Sequence, residues 1–307
     1  MNLEKKDIRD IFFENIRKIF LKDKDFYILT NDADVFALQK LKNHKRFIDA
    51  GVCEQNLINI ASGLARKKKK VLVYGFCNFL CHRSFEQIKI NICSMKLPVY
   101  IVGIGPGFSF PYDGPTHHGV QDIANMYTLP ELQIINLSEN KLAYNISKNI
   151  LKLKEPTYFR LDKGVLNSPF KPKNYTDGFN YFKSKQRKKI IITSGYFSRL
   201  AENLINKKKL TDVSIIDLYN FKKLNEIKLF SILKKYKKLI IYDENTTSGG
   251  FSFIINDIII KKHLKFSKIR SICSPEKQIF IYRQDRQSLL KDLKIDENYL
   301  YSNILKI

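Results

Sequence analysis

Short apolar runs alternate with longer amphipathic stretches along the chain, and this alternation restricts the fold more than any other feature. The first runs are Phe26–Leu29, Arg46–Ile48, Val71–Phe76, Pro98–Val102, Gln133–Asn136 and Thr157–Leu161. They are short and apolar throughout, as strands covered on both faces are. Between them lie the helix-like segments Asp7–Leu21, Glu54–Ala65, Ser84–Met95 and Glu139–Leu153. In the last of these, Leu142, Ile146, Ile150 and Leu153 keep helical spacing. Strand–helix–strand alternation predicts a parallel α/β sheet with right-handed crossovers. Residues 167–188 break the pattern: they are polar and basic, carry Pro169 and Pro172, and have no period, so a linker is expected. The alternation then resumes, with strands expected at Ile190–Ser194, Val213–Leu218, Lys238–Asp243 and Ile269–Cys273. Helices are expected at Ser198–Ile205, Glu226–Lys234, Gly250–Lys262 and Arg286–Leu293. Two α/β domains follow, 1–166 and 189–307, the second the smaller.

Charge narrows the partners. The 54 Lys and Arg against 30 Asp and Glu leave a net charge of +24, which first suggests nucleic acid or an anionic membrane. Only 11 of the basic residues are Arg, the side chain suited to bidentate phosphate and base contacts. The lysines are scattered apart from the run Lys67–Lys70, which sits where a charged turn is expected. A lysine-rich solvated surface is the simplest account, and neither nucleic acid nor a membrane is an expected partner. The longest apolar run, Ile254–Ile260, is interrupted by Asn256 and Asp257 and falls short of the roughly 18 residues of a span. The start, MNLEKKDIRD, has no signal-peptide pattern. Five cysteines, an odd number with no CxxC pair, do not make a disulfide framework, so a reducing cytoplasm is expected.

Three segments of the first domain carry chemistry-bearing residues. In RFIDAGVCEQNLINIASGLA (46–65), a strand ends, Gly51 allows a tight turn, and Glu54 opens a helix. A carboxylate there gains from the positive end of the helix dipole, so an ordinary first-turn residue is one reading and a functional carboxylate the other. In VLVYGFCNFLCHRSFEQIK (71–89), Phe76, Phe79 and His82 follow a strand. Ligands of open α/β sheets lie beyond such carboxyl ends, although core aromatics would look the same. In IVGIGPGFSFPYDGPTHHGVQDIA (101–124), five glycines loosen a loop that gathers Asp113, Thr116, His117 and His118. Its G-x-G-x-G spacing lacks the dinucleotide fingerprint. Adjacent histidines rarely point at one ion, so no metal ligand set is expected.

In this order, RFIDAGVCEQN, FEQIK and DGPTHHG resemble the C-terminal half of a transketolase, or the second subunit of the split transketolase-like enzymes. IIDLYNFKKLNE (215–226) and IYDENTTSGGFS (241–252) extend the likeness. The resemblance implies a pyrimidine-binding domain followed by a transketolase C-terminal domain, with thiamine diphosphate as cofactor. It implies transfer of a two-carbon ketol unit between sugars. It assigns Glu54 the glutamate that hydrogen-bonds the aminopyrimidine ring nitrogen, and Phe76 and Phe79 the aromatics packed on that ring. His82 falls where many relatives carry Tyr, which implies an edge contact. Asp34 resembles an aspartate that lines the site near the cofactor. Asp113 and His117 match residues that hydrogen-bond substrate hydroxyls, His117 being counted with Glu54 among the catalytic groups. For His118 a loop-packing role stands beside a ligand role.

The departures from the family pattern are equally informative. A substrate-phosphate His of full-length members falls at Gly105, a phosphate-binding Ser at Leu38, and a phosphate-binding Arg at Lys163, a less directional contact. No GDG motif, which holds the divalent cation and diphosphate in the family, occurs in the chain. The resemblance therefore implies a separate N-terminal subunit that carries the GDG motif and Mg2+ (or Ca2+), and a heterotetramer in which this chain pairs with itself. Two other thiamine diphosphate chemistries remain open, those of a deoxyxylulose-phosphate synthase and of a 2-oxoacid dehydrogenase beta subunit. A non-catalytic basic binding protein is the alternative from another class.

Overall fold

A computed structural model describes residues 3–170, 172 and 175–307. Residues 1 and 2 of the expected first domain, and 171, 173 and 174 of the expected linker, lie outside the described residues. The chain divides into two compact units, 1–106 with 125–166, and 107–124 with 167–307.

The first unit is built on six parallel strands: β1 (Phe26–Thr30), β2 (Phe47–Asp49), β3 (Lys70–Phe76), β4 (Val99–Ile104), β5 (Gln133–Asn136) and β6 (Thr157–Leu161). Their order is β2-β1-β3-β4-β6-β5. Every residue of β4 and β6 is buried, as the uninterrupted apolar runs require. The first helix, Ile8–Lys22, starts where the Asp7 side chain accepts from the Arg9 N–H at 2.8 Å. It buries Ile8, Ile11, Phe12, Phe13, Ile16 and Phe20. β2 lies to one side of β1 and β3 to the other, so the strand order reverses between β1 and β3. A crevice opens at such a switch point, beyond the carboxyl ends of the strands.

The helix expected over Ser84–Met95 is corrected. Helix begins at Cys77, immediately after β3, and runs to Arg83; a short helical turn Phe85–Gln87 and a π-helical turn Ile88–Cys93 follow. Ser84 is the joint. Its buried hydroxyl donates to the Leu80 carbonyl at 2.8 Å, a back-bond that bends helices. His82 and Arg83 thereby sit in the last turn of the first segment.

The second unit carries β7 (Phe179–Phe182), β8 (Lys189–Ser194), β9 (Val213–Leu218), β10 (Lys238–Thr246) and β11 (Lys268–Ser274), in the order β11-β10-β8-β9-β7. All neighbours are parallel except β7 and β9. β7 corrects the reading of 167–188 as a linker, since Phe179–Phe182 pairs antiparallel with β9. As an edge strand it needs pairing on one side only, and Phe179 and Asn180 alone are buried in it. A final helix, Glu297–Lys306, capped by Asp296, also escaped the periodicity. The stretch 107–124 joins this unit's core through Phe108 and Val120. Among the described residues, no helix is long and apolar enough to cross a membrane.

Candidate active site

In the first unit, the turn after β2 delivers Glu54. Gly51 has φ +68, and the Asp49 carboxylate accepts from the N–H groups of Gly51 and Asp32, each at 3.0 Å. Glu54 then opens the helix Glu54–Arg66 with only 4% of its surface exposed. Two donors reach the same oxygen: Asn31 Nδ2 and Arg83 Nη1 each lie 3.0 Å from Oε1. Asn31 follows β1 and Arg83 ends the helix after β3, so three carboxyl strand ends meet at the switch point. The Arg83 guanidinium lies 4.0 Å from the centroid of the Phe79 ring. Phe79 meets Phe76 edge-on at 5.7 Å. Arg83 thus links Glu54 to Phe79, and through it to Phe76, in one cluster. Asn31 and Arg83 were not anticipated. Their only sequence signal is position, each just beyond a strand or helix that leads into the crevice.

The other expected residues of this unit are placed more loosely. His82 Nδ1 pairs with Asn125 Nδ2 at 3.0 Å. Asp34 is exposed and pairs with Lys42 at 3.3 Å and Gln39 at 3.4 Å, on the turn that follows it. Lys163 follows β6, its N–H donating to the Asp162 carboxylate at 2.8 Å. At the two departures, Leu38 is buried, and Gly105 (φ +76) donates its N–H to the Leu161 carbonyl at 3.0 Å. Neither has a side chain that can hold phosphate.

In the second unit, the DGPTHH segment is a fastened loop. Gly107 and Gly119 exchange backbone hydrogen bonds at 2.9 Å across its base. The Phe108 N–H donates to Glu244 Oε1 at 3.0 Å, and Glu244 is in turn gripped by Arg286 through both of its oxygens. Arg283 N–H donates to the Pro111 carbonyl at 3.2 Å. Asp113 precedes the turn Gly114–Thr116, and His117 Nδ1 pairs with Thr116 Oγ1 at 3.0 Å. His118 is buried edge-on against Phe108 at 4.9 Å, and neither ring nitrogen has a hydrogen-bond partner among the described residues. Burial, and then the neighbouring His117, lowers its pKa to about 4, so the ring is neutral.

A buried carboxyl beside an edge-on aromatic pair suits a flat heterocycle with a ring nitrogen. The buried Asn31 Oδ1, which has no partner among the described residues, also awaits a donor. These features fit the pyrimidine end of thiamine diphosphate. Among the described residues, no group of three or more His, Cys, Asp or Glu could hold a metal ion.

Comparison with known proteins identifies the family. Residues 4–169, more than half the chain, match the family described as transketolase, pyrimidine binding domain. The chain is 24% identical over 258 residues to one of the subunits of the apulose-4-phosphate transketolase of Phocaeicola vulgatus, covering 80% of this chain and 81% of that one. It is 30% identical over 213 residues to the 1-deoxy-D-xylulose-5-phosphate synthase of Oleidesulfovibrio alaskensis, covering 67% of this chain but 33% of that one. Its fold is similar to a split-gene transketolase solved as an inactive beta4 tetramer, with TM-score 0.80, 18% identity, and 98% and 97% of the two chains covered. The transketolase of Campylobacter jejuni superposes with TM-score 0.80 at 15% identity, over 100% of this chain and 48% of that one.

Proposed function

The chain belongs to the transketolase pyrimidine-binding domain family, and from that premise we propose that it is one half of a thiamine diphosphate-dependent transketolase. It moves a two-carbon ketol unit between sugars or sugar phosphates. Its partner is a separate N-terminal subunit that holds the diphosphate and Mg2+ (or Ca2+), in a two-plus-two heterotetramer. The observation that carries this reading is the buried Glu54 at the switch point, beside Phe76 and Phe79. The match to a relative that is itself one subunit of a transketolase supports the division into two chains. A reducing cytoplasm is the proposed compartment.

When bound, thiamine diphosphate supplies the electron sink for cleaving a ketose carbon–carbon bond. Glu54 holds the pyrimidine ring nitrogen and moves a proton there. Phe76 and Phe79 pack on the ring, while His82 touches its edge and Asp34 lines the approach. Asp113 and His117 hydrogen-bond sugar hydroxyls and hold the donor for attack. Lys163 supplies a single cationic contact for a substrate anion. With Gly105 and Leu38 at two phosphate positions, the accepted sugar differs in decoration from an ordinary pentose or hexose phosphate, or the partner completes the anion site.

The test is co-assembly with a GDG-bearing subunit and assay of ketol transfer from a panel of sugars. Activity in the pair, lost with Glu54→Gln while the fold survives, is the expected result. Wild-type turnover by Glu54→Gln, or tight magnesium-dependent cofactor binding by the lone chain, refutes it. A second reading is favoured by the match to deoxyxylulose-phosphate synthases, one of which aligns with 297 residues of this chain at 25% identity, spanning 45% of its own length. Pyruvate consumption in place of ketose consumption would select it.

A further inference from the structure

We infer that Asn31 and Arg83 are positioning residues that give the two oxygens of Glu54 different tasks: Oε1 is held and Oε2 is left to exchange the proton. The inference rests on the proposed role of Glu54 and adds the residues that make it directional.

Both donors converge on Oε1, at 3.0 Å from Asn31 Nδ2 and 3.0 Å from Arg83 Nη1. Among the described residues, no donor reaches Oε2. An oxygen that accepts two N–H bonds cannot also carry a proton without displacing one of them. Proton exchange is therefore confined to Oε2, in the direction set by the clamp. A carboxyl without it would share its proton through either oxygen and rotate.

Each clamp residue is itself fixed. Asn31 is 4% exposed, and its carboxamide fits because residue 75 is Gly: a Cβ there would lie 2.2 Å from Asn31 Oδ1. Arg83 is stacked on Phe79, one of the aromatics assigned to the cofactor ring, and its side chain is 47% exposed. One cation thus ties the carboxyl to the aromatic platform while its outer N–H groups face water. Asn31 Oδ1, buried and without a partner among the described residues, is an acceptor that a ligand or a water must satisfy. That requirement marks Asn31 as part of a binding surface rather than of the closed core.

The experiment uses the enzyme assembled with its N-terminal subunit. Asn31→Leu, Asn31→Ser, Arg83→Met and Arg83→Lys are compared with wild type and Glu54→Gln. The readouts are thiamine diphosphate affinity by calorimetry, kcat, and the sugar KM. Asn31→Leu and Arg83→Met are expected to lower kcat and weaken cofactor binding by roughly ten- to hundredfold, the worth of a hydrogen bond to a charged group. The sugar KM stays within about twofold, because the clamp does not touch substrate. Arg83→Lys, which keeps the charge, recovers most of the loss. Arg83 is half-exposed, so its variants report even if Asn31→Leu does not fold, and Asn31→Ser removes the same donor with less strain. Wild-type affinity and kcat in Arg83→Met and Asn31→Ser, beside an inactive Glu54→Gln, overturn the clamp alone. An active Glu54→Gln overturns the clamp together with the reading beneath it.

Discussion

Replacing Glu244 by Ala tests how the loop 107–119 is held. The Glu244 carboxylate accepts from the Phe108 N–H at 3.0 Å and from Arg286 Nε at 2.7 Å, with a second, shorter contact to Arg286 Nη2. The side chains of Glu244 and Arg286 are only 10% and 9% exposed, and the guanidinium lies 3.9 Å from the centroid of the Tyr196 ring. Removing the carboxylate leaves a nearly buried cation without its counter-charge and a buried N–H without its acceptor. Breaking such a pair from one side costs about 3–5 kcal/mol. For a unit of this size, each kcal/mol lowers Tm by about 2–4 °C, so the expected fall is roughly 6–20 °C. Thermal unfolding of the full chain, with limited proteolysis across 107–119, reads the effect. On the sugar-holding roles proposed above for Asp113 and His117, which ride on this loop, the same variant assembled with the N-terminal subunit should raise the sugar KM. The double variant Glu244→Leu with Arg286→Met removes both charges and should recover most of the lost Tm, while the loop stays loose because Phe108 N–H still lacks its acceptor. A Tm within about 2 °C of wild type for Glu244→Ala would refute the argument, since no buried pair broken from one side costs so little.

Other outcomes follow from the same loop. Gly107→Ala should destabilise by about 1–3 kcal/mol, read by denaturant titration, because φ is +62 and the new Cβ would lie 2.1 Å from Glu244 Oε2. His118 contributes stability as a neutral ring, since its folded pKa of about 4 lies below the unfolded 6.5. That contribution is complete above pH 6.5 and is lost as pH falls toward about 4, because the unfolded state then takes up a proton that the folded state refuses. His118→Phe should therefore hold or raise Tm at neutral pH and flatten the Tm profile across that window; an unchanged acid slope would exclude His118 as its source.

The strands were readable because a doubly covered parallel strand must be apolar along its whole length. β5, β6 and β9 have the bounds expected from composition. The start of the helix after β3 leaves no periodic signal, because Cys77–Arg83 mixes apolar and polar residues over barely two turns and the Ser84 joint breaks the period. β7 carries no such mark, because one paired edge and one buried end do not impose an alternating pattern on FNYF. In the first unit Glu54, Phe76 and Phe79, and in the second Asp113 and His117, stand in short motifs that carry the family resemblance. Asn31, Arg83, Glu244 and Arg286 do not, because each acts on a group far away in sequence, and no local spacing records that distance.

By itself, the sequence determined the α/β class, the buried parallel strands and the motif positions, because burial on two faces and tight turns leave marks within a few residues. Only the tertiary structure decided which strand ends meet at the β1/β3 switch point, which oxygen of Glu54 is held, and which unit fastens residues 107–124. Those are contacts between distant segments, and they exist only once the sheets have set strand order and brought the carboxyl ends side by side.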